Sequence, residues 1–239
     1  MGQGPSIPPA RRRTKGTAMT EARRPQLVLF DCDGVVVDSW PTTLECLQAD
    51  LAGHGARLSA RQVTELCRLG SIAAVAKAVR GQGVALPGNW LETFYDRLNA
   101  ALAQGVRAIA GVEAVFDRLD RDGLPYAICS NGRVRKMEIM LSQLGMWDRL
   151  RDRVLSSQDL RAPKPAPDVY LEGARRFGVV PRDCIVIEDS VVGARAAVAA
   201  GMPCLGFVAS DDGRLRPPLV RQTFAHMSEL PALLGLAAP

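Results

Sequence analysis

Three short apolar runs, each ending abruptly in polar residues, constrain the fold of this chain more than any other feature. Residues 26–30 (QLVLF) run into Asp31-Cys32-Asp33-Gly34. Residues 126–129 (YAIC) run into Ser130-Asn131-Gly132, and residues 184–187 (CIVI) into Glu188-Asp189-Ser190. Continuous apolar runs of this length, alternating with helical patterns, read as strands of a parallel sheet buried on both faces. Open sheets of that kind bind ligands beyond the carboxyl ends of their strands, near a switch in strand order. The three polar clusters are therefore expected to converge on one crevice. Further strands are predicted over residues 153–156 and 203–208. Helices are predicted over residues 111–122, 133–144, 167–177 and 191–200, with Gly145 and Gly201 placed as stops. A last helix is predicted near residues 227–234.

Residues 42–107 follow another pattern. Leu44, Leu47 and Leu51 have helical spacing, and Ser59 with Gln62 has the form of a capping box ahead of Val63 and Leu66. Ile72, Val75, Ala76 and Val79 continue the theme, as do Trp90, Leu91, Phe94, Leu98 and Leu102. No strand-like run interrupts them. The expected organisation is a core of residues 26–41 and 108–239, with an all-helical unit over 42–107 inserted after the first strand.

The net charge of +5 belongs to the first 25 residues, which hold six basic side chains and one acidic one. The remainder is balanced, so the charge gives no footing for nucleic-acid binding. That first segment, rich in Gly, Pro, Ser and Arg, is expected to be a disordered basic tail. No apolar run reaches the length of a membrane span. Six cysteines without a C-x-x-C pair read as free thiols in a reducing, cytoplasmic setting. The two histidines, His54 and His226, are too far apart in sequence to mark a histidine-rich metal site. A soluble monomer acting on a small molecule is expected.

Asp31 and Asp33 share one face of the first strand end. Two carboxylates so close repel unless one is protonated or a cation lies between them, and a hard ion such as Mg²⁺ resolves the conflict. Glu188 and Asp189 form a second acidic pair at another strand end, placed to complete the ligand set. Lys164, in Ala162-Pro163-Lys164-Pro165-Ala166-Pro167, sits on a loop stiffened by three prolines. A pre-positioned lysine loses little entropy in gripping a phosphate. Ser130 and Asn131 offer a hydroxyl and an amide where a helix begins, a natural anion site.

Together these residues resemble the haloacid dehalogenase-like superfamily in its phosphatase and phosphomutase branch. Asp31-Cys32-Asp33-Gly34-Val35-Val36-Val37-Asp38-Ser39 is similar to its first motif and Ser130-Asn131 to its second. Lys164 with its prolines is similar to the third, and Ile187-Glu188-Asp189-Ser190 to the fourth. The resemblance spans residues 26–224. It implies a Rossmann-like α/β core with a helical cap, and a magnesium-dependent phosphatase acting on a small phosphomonoester. It further implies Asp31 as nucleophile, Asp33 as acid and base, and Ser130, Asn131 and Lys164 as phosphate-holding groups. Mg²⁺ would be held by Asp31, the Asp33 backbone carbonyl and Asp189, with Glu188 close by. Asp38 would be a structural hydrogen-bonder. A β-phosphoglucomutase-like reaction is the alternative, but Thr43 stands where such mutases carry a histidine, and Gly70-Ser71-Ile72 where they carry a cap arginine. Arg68, Ser71 and Lys77 are candidates for substrate selection.

Overall fold

The computed structural model describes residues 24–208 and 213–236. The basic tail expected over residues 1–25 lies outside them, apart from Arg24 and Pro25. The chain begins with β1 (Leu27–Phe30) and β2 (Val37–Asp38). Four helices follow: α1 (Trp40–Gly53), α2 (Ala60–Cys67), α3 (Ile72–Gly81) and α4 (Trp90–Leu102). After β3 (Arg107–Ala108), strands and helices alternate. They are α5 (Val112–Arg121), β4 (Tyr126–Ser130), α6 (Val134–Gln143), α7 (Trp147–Leu150), β5 (Val154–Ser156) and α8 (Asp168–Phe177). The chain ends through β6 (Cys184–Glu188), α9 (Val191–Ala199), β7 (Cys204–Phe207), β8 (Gln222–Phe224) and α10 (Leu230–Leu233).

Six strands pair in parallel in the order β5-β4-β1-β6-β7-β8. From β1 the chain winds outward through β4 and β5, then returns to the other side of β1 to lay down β6, β7 and β8. The direction of winding therefore switches between β1 and β6. That is where a crevice opens in a doubly wound sheet.

Strand periodicity explains the two packed faces. Val28 and Phe30 of β1 point into a cluster with Phe116 of α5 and Met137 and Met140 of α6. Leu27 and Leu29 point the other way, into a cluster with Tyr170 of α8 and Ala194 and Ala197 of α9. The first cluster does not stop at the sheet. It runs on through Val35, Val36 and Val37 into Leu47, Leu51, Trp90, Phe94 and Leu98 of the helical segment. The helices α1 to α4 are therefore packed onto the sheet side that faces α5 and α6. They leave the sheet through a two-strand antiparallel link, Val37 opposite Ala108 and Asp38 opposite Arg107.

The predicted strands and helices are present, and the capping box of Ser59 and Gln62 forms as expected. Four elements were not anticipated, the one-turn helix α7 among them. β2 and β3 are too short to show an alternation, and β3 begins inside the stretch expected to be wholly helical. β8 carries no apolar run because it is an edge strand, with only Phe224 of its three residues buried. The last helix is shorter than expected: a single 3₁₀ turn, Met227–Glu229, precedes α10.

Candidate active site

Every strand end that the sequence marked as polar lies on one crevice. Asp31 follows β1 directly, its backbone N–H donating to the Ile187 carbonyl at 2.9 Å. Gly34 then turns the chain with φ of 86°, and a Cβ there would lie 2.0 Å from Asp189 Oδ2. Glycine thus lets the first acidic loop close over the second. A cavity of about 540 Å³ covers the site. Its floor holds Asp31, Asp33, Ser130, Lys164, Glu188 and Asp189, and its roof includes Leu44, Thr64, Ser71, Tyr95 and Leu98 of the helical segment.

Lys164 is the hub of the floor. It is 5 % exposed, and its ammonium donates to Asp31 Oδ1 at 2.6 Å, Glu188 Oε1 at 2.7 Å and the Cys129 carbonyl at 2.8 Å. Three donors meet three acceptors, so the charge is fixed in place. Burial by itself would lower its pKa, but Asp31 and Glu188 hold it above the ordinary range. Glu188, fully buried, accepts a further hydrogen bond on Oε1 from Tyr170 at 2.7 Å. Its Oε2 accepts from the Ser190 hydroxyl at 2.9 Å and the Ser190 N–H at 3.2 Å. Glu188 is therefore an anchor for Lys164 and for the start of α9, with each oxygen already holding two donors.

Oxygen atoms of Asp31, Glu188 and Asp189 lie within 4.8 Å of one another. Lys164 offsets only part of that charge. Burial pushes the Asp31 carboxyl up to about 7, Lys164 pulling it down while Glu188 and Asp33 push it further up. Burial, reinforced by Asp31 and Glu188, carries Asp189 well above the usual carboxylate range. Among the described residues, the one hydrogen bond to the Asp189 carboxylate is long, from Trp40 Nε1 at 3.4 Å. Two under-neutralised carboxylates backed by a third form an all-oxygen donor set, which fits a hard divalent cation such as Mg²⁺. Asp31 and Asp189 are the side chains free to hold it.

The Asp33 carboxylate stands apart from that group. Its Oδ1 accepts from the Ser39 hydroxyl and from Lys136 Nζ, the latter at 2.5 Å. Burial acts upward on Asp33, yet Lys136 and Ser39 hold its pKa below the ordinary value. Lys136 was not singled out in the sequence. It occupies the buried face of α6 with Met137 and Met140 and is 8 % exposed. A lysine on an apolar helical face, one turn after Ser130-Asn131-Gly132, was the available signal.

The other candidates divide. Ser130 Oγ reaches Asp33 Oδ2 at 3.4 Å and accepts from the Gly132 N–H at 2.9 Å. Asn131 faces inward. Its Oδ1 accepts from the Lys164 N–H at 2.8 Å and the Ser157 hydroxyl at 2.9 Å. Its Nδ2 donates to the carbonyls of Gly70 at 3.2 Å and Lys164 at 3.3 Å. The whole amide is thus spent inside the chain, tying the lysine loop to the segment between α2 and α3, and none of it is left for a substrate. Ser71 caps α3 and Arg68 pairs with Glu65, both at the cavity wall. Lys77 is exposed and does not line it. Asp38 pairs with Arg107 across the two-strand link. Thr43 donates to the Ser39 carbonyl at 2.9 Å.

A doubly wound α/β sheet whose strand ends gather buried carboxylates around a fixed lysine defines the class. The chain belongs to the haloacid dehalogenase-like hydrolases, a family that matches residues 25–201. It is 31% identical over 182 residues to a phosphoglycolate phosphatase of Xylella fastidiosa, covering 76% of this chain and 79% of that protein. It is 29% identical to the 6-phosphogluconate phosphatase of Escherichia coli, covering 88% and 95%. Among solved structures, a haloacid dehalogenase-family hydrolase of Deinococcus radiodurans with bound phosphate and sodium superposes with a TM-score of 0.70 at 29% identity, covering 90% of this chain and 99% of that one. No helix among the described residues is long and apolar enough to cross a membrane.

Proposed function

We propose that this protein is a magnesium-dependent phosphatase that hydrolyses a small phosphorylated metabolite through an aspartyl-phosphate on Asp31. The observation that carries this reading is the placement of Asp31. It combines a strand-end carboxylate, the neighbouring carboxylates of Glu188 and Asp189 and a lysine within hydrogen-bonding distance, beside a further carboxylate two residues on. Phosphatase relatives acting on phosphoglycolate and 6-phosphogluconate support the substrate class.

In the first step the Asp33 carboxylate takes up the proton that a phosphomonoester monoanion carries; an Asp31 carboxylate oxygen then attacks phosphorus, and the bond to the leaving oxygen breaks as Asp33 delivers that proton to it. In the second step Asp33 takes a proton from water as the water oxygen attacks phosphorus. The bond to Asp31 then breaks, inorganic phosphate leaves carrying the proton that Asp33 took from water, and both side chains return to their ionised starting states. Lys164 holds Asp31 in line and offers positive charge where the phosphoryl oxygens gather, with Ser130 as a hydroxyl donor on the other side. Asp31, Asp189 and the Asp33 backbone carbonyl, with Glu188 close by, would hold Mg²⁺, which would supply further neutralisation of phosphoryl charge. The helices α1 to α4 act as the cap that keeps bulk water from the cavity. Thr43, whose hydroxyl is committed to the Ser39 carbonyl, offers no titrating group of the kind a mutase uses, which favours hydrolysis over phosphoryl return. The six free cysteines accord with action in the reducing cytoplasm.

Asp31→Asn tests the mechanism. Turnover of phosphomonoesters in Mg²⁺ is expected to vanish while the variant still folds, and release of phosphate at near wild-type rate would falsify it.

A further inference from the structure

The two oxygens of Asp33 have different surroundings. Oδ1 accepts from both Ser39 Oγ and Lys136 Nζ. Oδ2 receives only the 3.4 Å contact from Ser130 Oγ among the described residues. Oδ2 therefore faces the side of the cavity where Ser130 and Gly132 lie: a Cβ on Gly132 would be 3.2 Å from Ser130 Oγ and 3.8 Å from Asp33 Oδ2. A carboxylate held at one oxygen by a single hydroxyl can rotate about its last torsion, since that torsion has a broad well. Two donors on the same oxygen, coming from different elements, remove that freedom.

We propose that Lys136 is a positioning residue for the reaction. It pins Oδ1 of Asp33 so that Oδ2 alone is presented to the leaving oxygen. The inference rests on the reading of Asp33 as acid and base. Three observations carry it. Lys136 is buried and on the helix that follows the Ser130 loop, so its ammonium is held by the fold. Asp33 is the one acceptor that its ammonium reaches among the described residues. The helical segment closes over it, because Tyr95 of α4 lies against α6, its ring centroid 5.0 Å from the Arg133 guanidinium.

A positioning role for the acid has a signature that a general structural or substrate-gripping role lacks. A dinitrophenolate departs without a proton, whereas an alkoxide departs only with one. The test is kcat/KM, which reports the steps through leaving-group departure, for dinitrophenyl phosphate and for a simple alkyl phosphate. It is measured for wild type, Lys136→Met and Lys136→Arg. In Lys136→Met the alkyl phosphate is expected to fall by about 100-fold, the scale of a misplaced reacting group. Its fall should exceed that of dinitrophenyl phosphate at least about tenfold, the share set by proton transfer. Lys136→Arg, which keeps a donor to Asp33, is expected to recover part of the alkyl rate. Equal losses for the two substrates, or no loss for either, overturns the proposal, as does a rise in KM confined to substrates bearing a second anionic group. A wild-type protein inactive on both substrates refutes the phosphatase reading itself, so the two failures are distinguishable.

Discussion

Removing the Asp31 charge is expected to stabilise the metal-free protein while it destroys turnover. The Asp31 carboxyl titrates at about 7 in place of the ordinary 3.8. At 1.36 kcal/mol per pH unit, holding it ionised in the metal-free fold costs about 4 kcal/mol. An unfolded chain has no such penalty. Below about pH 4 both states carry the proton and the penalty is absent. It grows as pH rises from about 4 to 7 and is complete above that. Asp31→Asn eliminates it; the pull of Lys164 on the charged form is already included in that figure, and exchanging a neutral carboxyl for a neutral amide costs about 1 kcal/mol. The net gain is then about 3 kcal/mol. For a chain of this size that raises Tm by roughly 5–10 °C. Thermal unfolding followed by circular dichroism in a chelator, at about pH 8 and again at about pH 5, reads this directly. The variant is expected to melt higher at the upper pH, with the gap narrowing at the lower. Mg²⁺ should then raise the wild-type Tm more than the variant's, because the site proposed for it requires the ionised Asp31 carboxylate. A variant no more stable than wild type at the upper pH in chelator, or a gap independent of pH, refutes the electrostatic account of this site.

Two further outcomes follow from the packing around the lysine loop. Asn131→Ala removes the hydrogen bonds that join Lys164 to Gly70 and Ser157; kcat/KM is expected to fall about 100-fold, with faster amide exchange over residues 68–71 by mass spectrometry. Gly193→Ala places a Cβ 1.6 Å from Glu188 Oε1; breaking that anchor is expected to cost about 3 kcal/mol or more, read as a lowered denaturant midpoint.

Periodicity and strand-end chemistry made much of this protein legible from its sequence. Residues 27–30, 126–129 and 184–187 are apolar throughout, and only a strand covered on both faces needs that. Once they lie side by side, Asp31, Ser130 and Glu188 must sit at one edge of the sheet, because parallel strands end on the same side. The prolines around Lys164 and the paired carboxylates likewise announced themselves by local composition. Three things were decided only by tertiary structure. Lys136 carried only a faint signal in sequence, its place on the apolar face of a helix; its burial depends on the face of α6 it occupies and on α4 packing above it. Asn131 reads equally well as a phosphate donor or a clasp, and what settles its use is how close Gly70 and the Lys164 backbone come after folding. The edge strand β8 has no apolar pattern of its own, and it exists because β7 presents an unpaired row of backbone groups beside it. Sequence marks residues whose type alone limits where they can go. Partners distant along the chain are settled by packing, since no local pattern encodes which side chain another helix will bring within hydrogen-bonding reach.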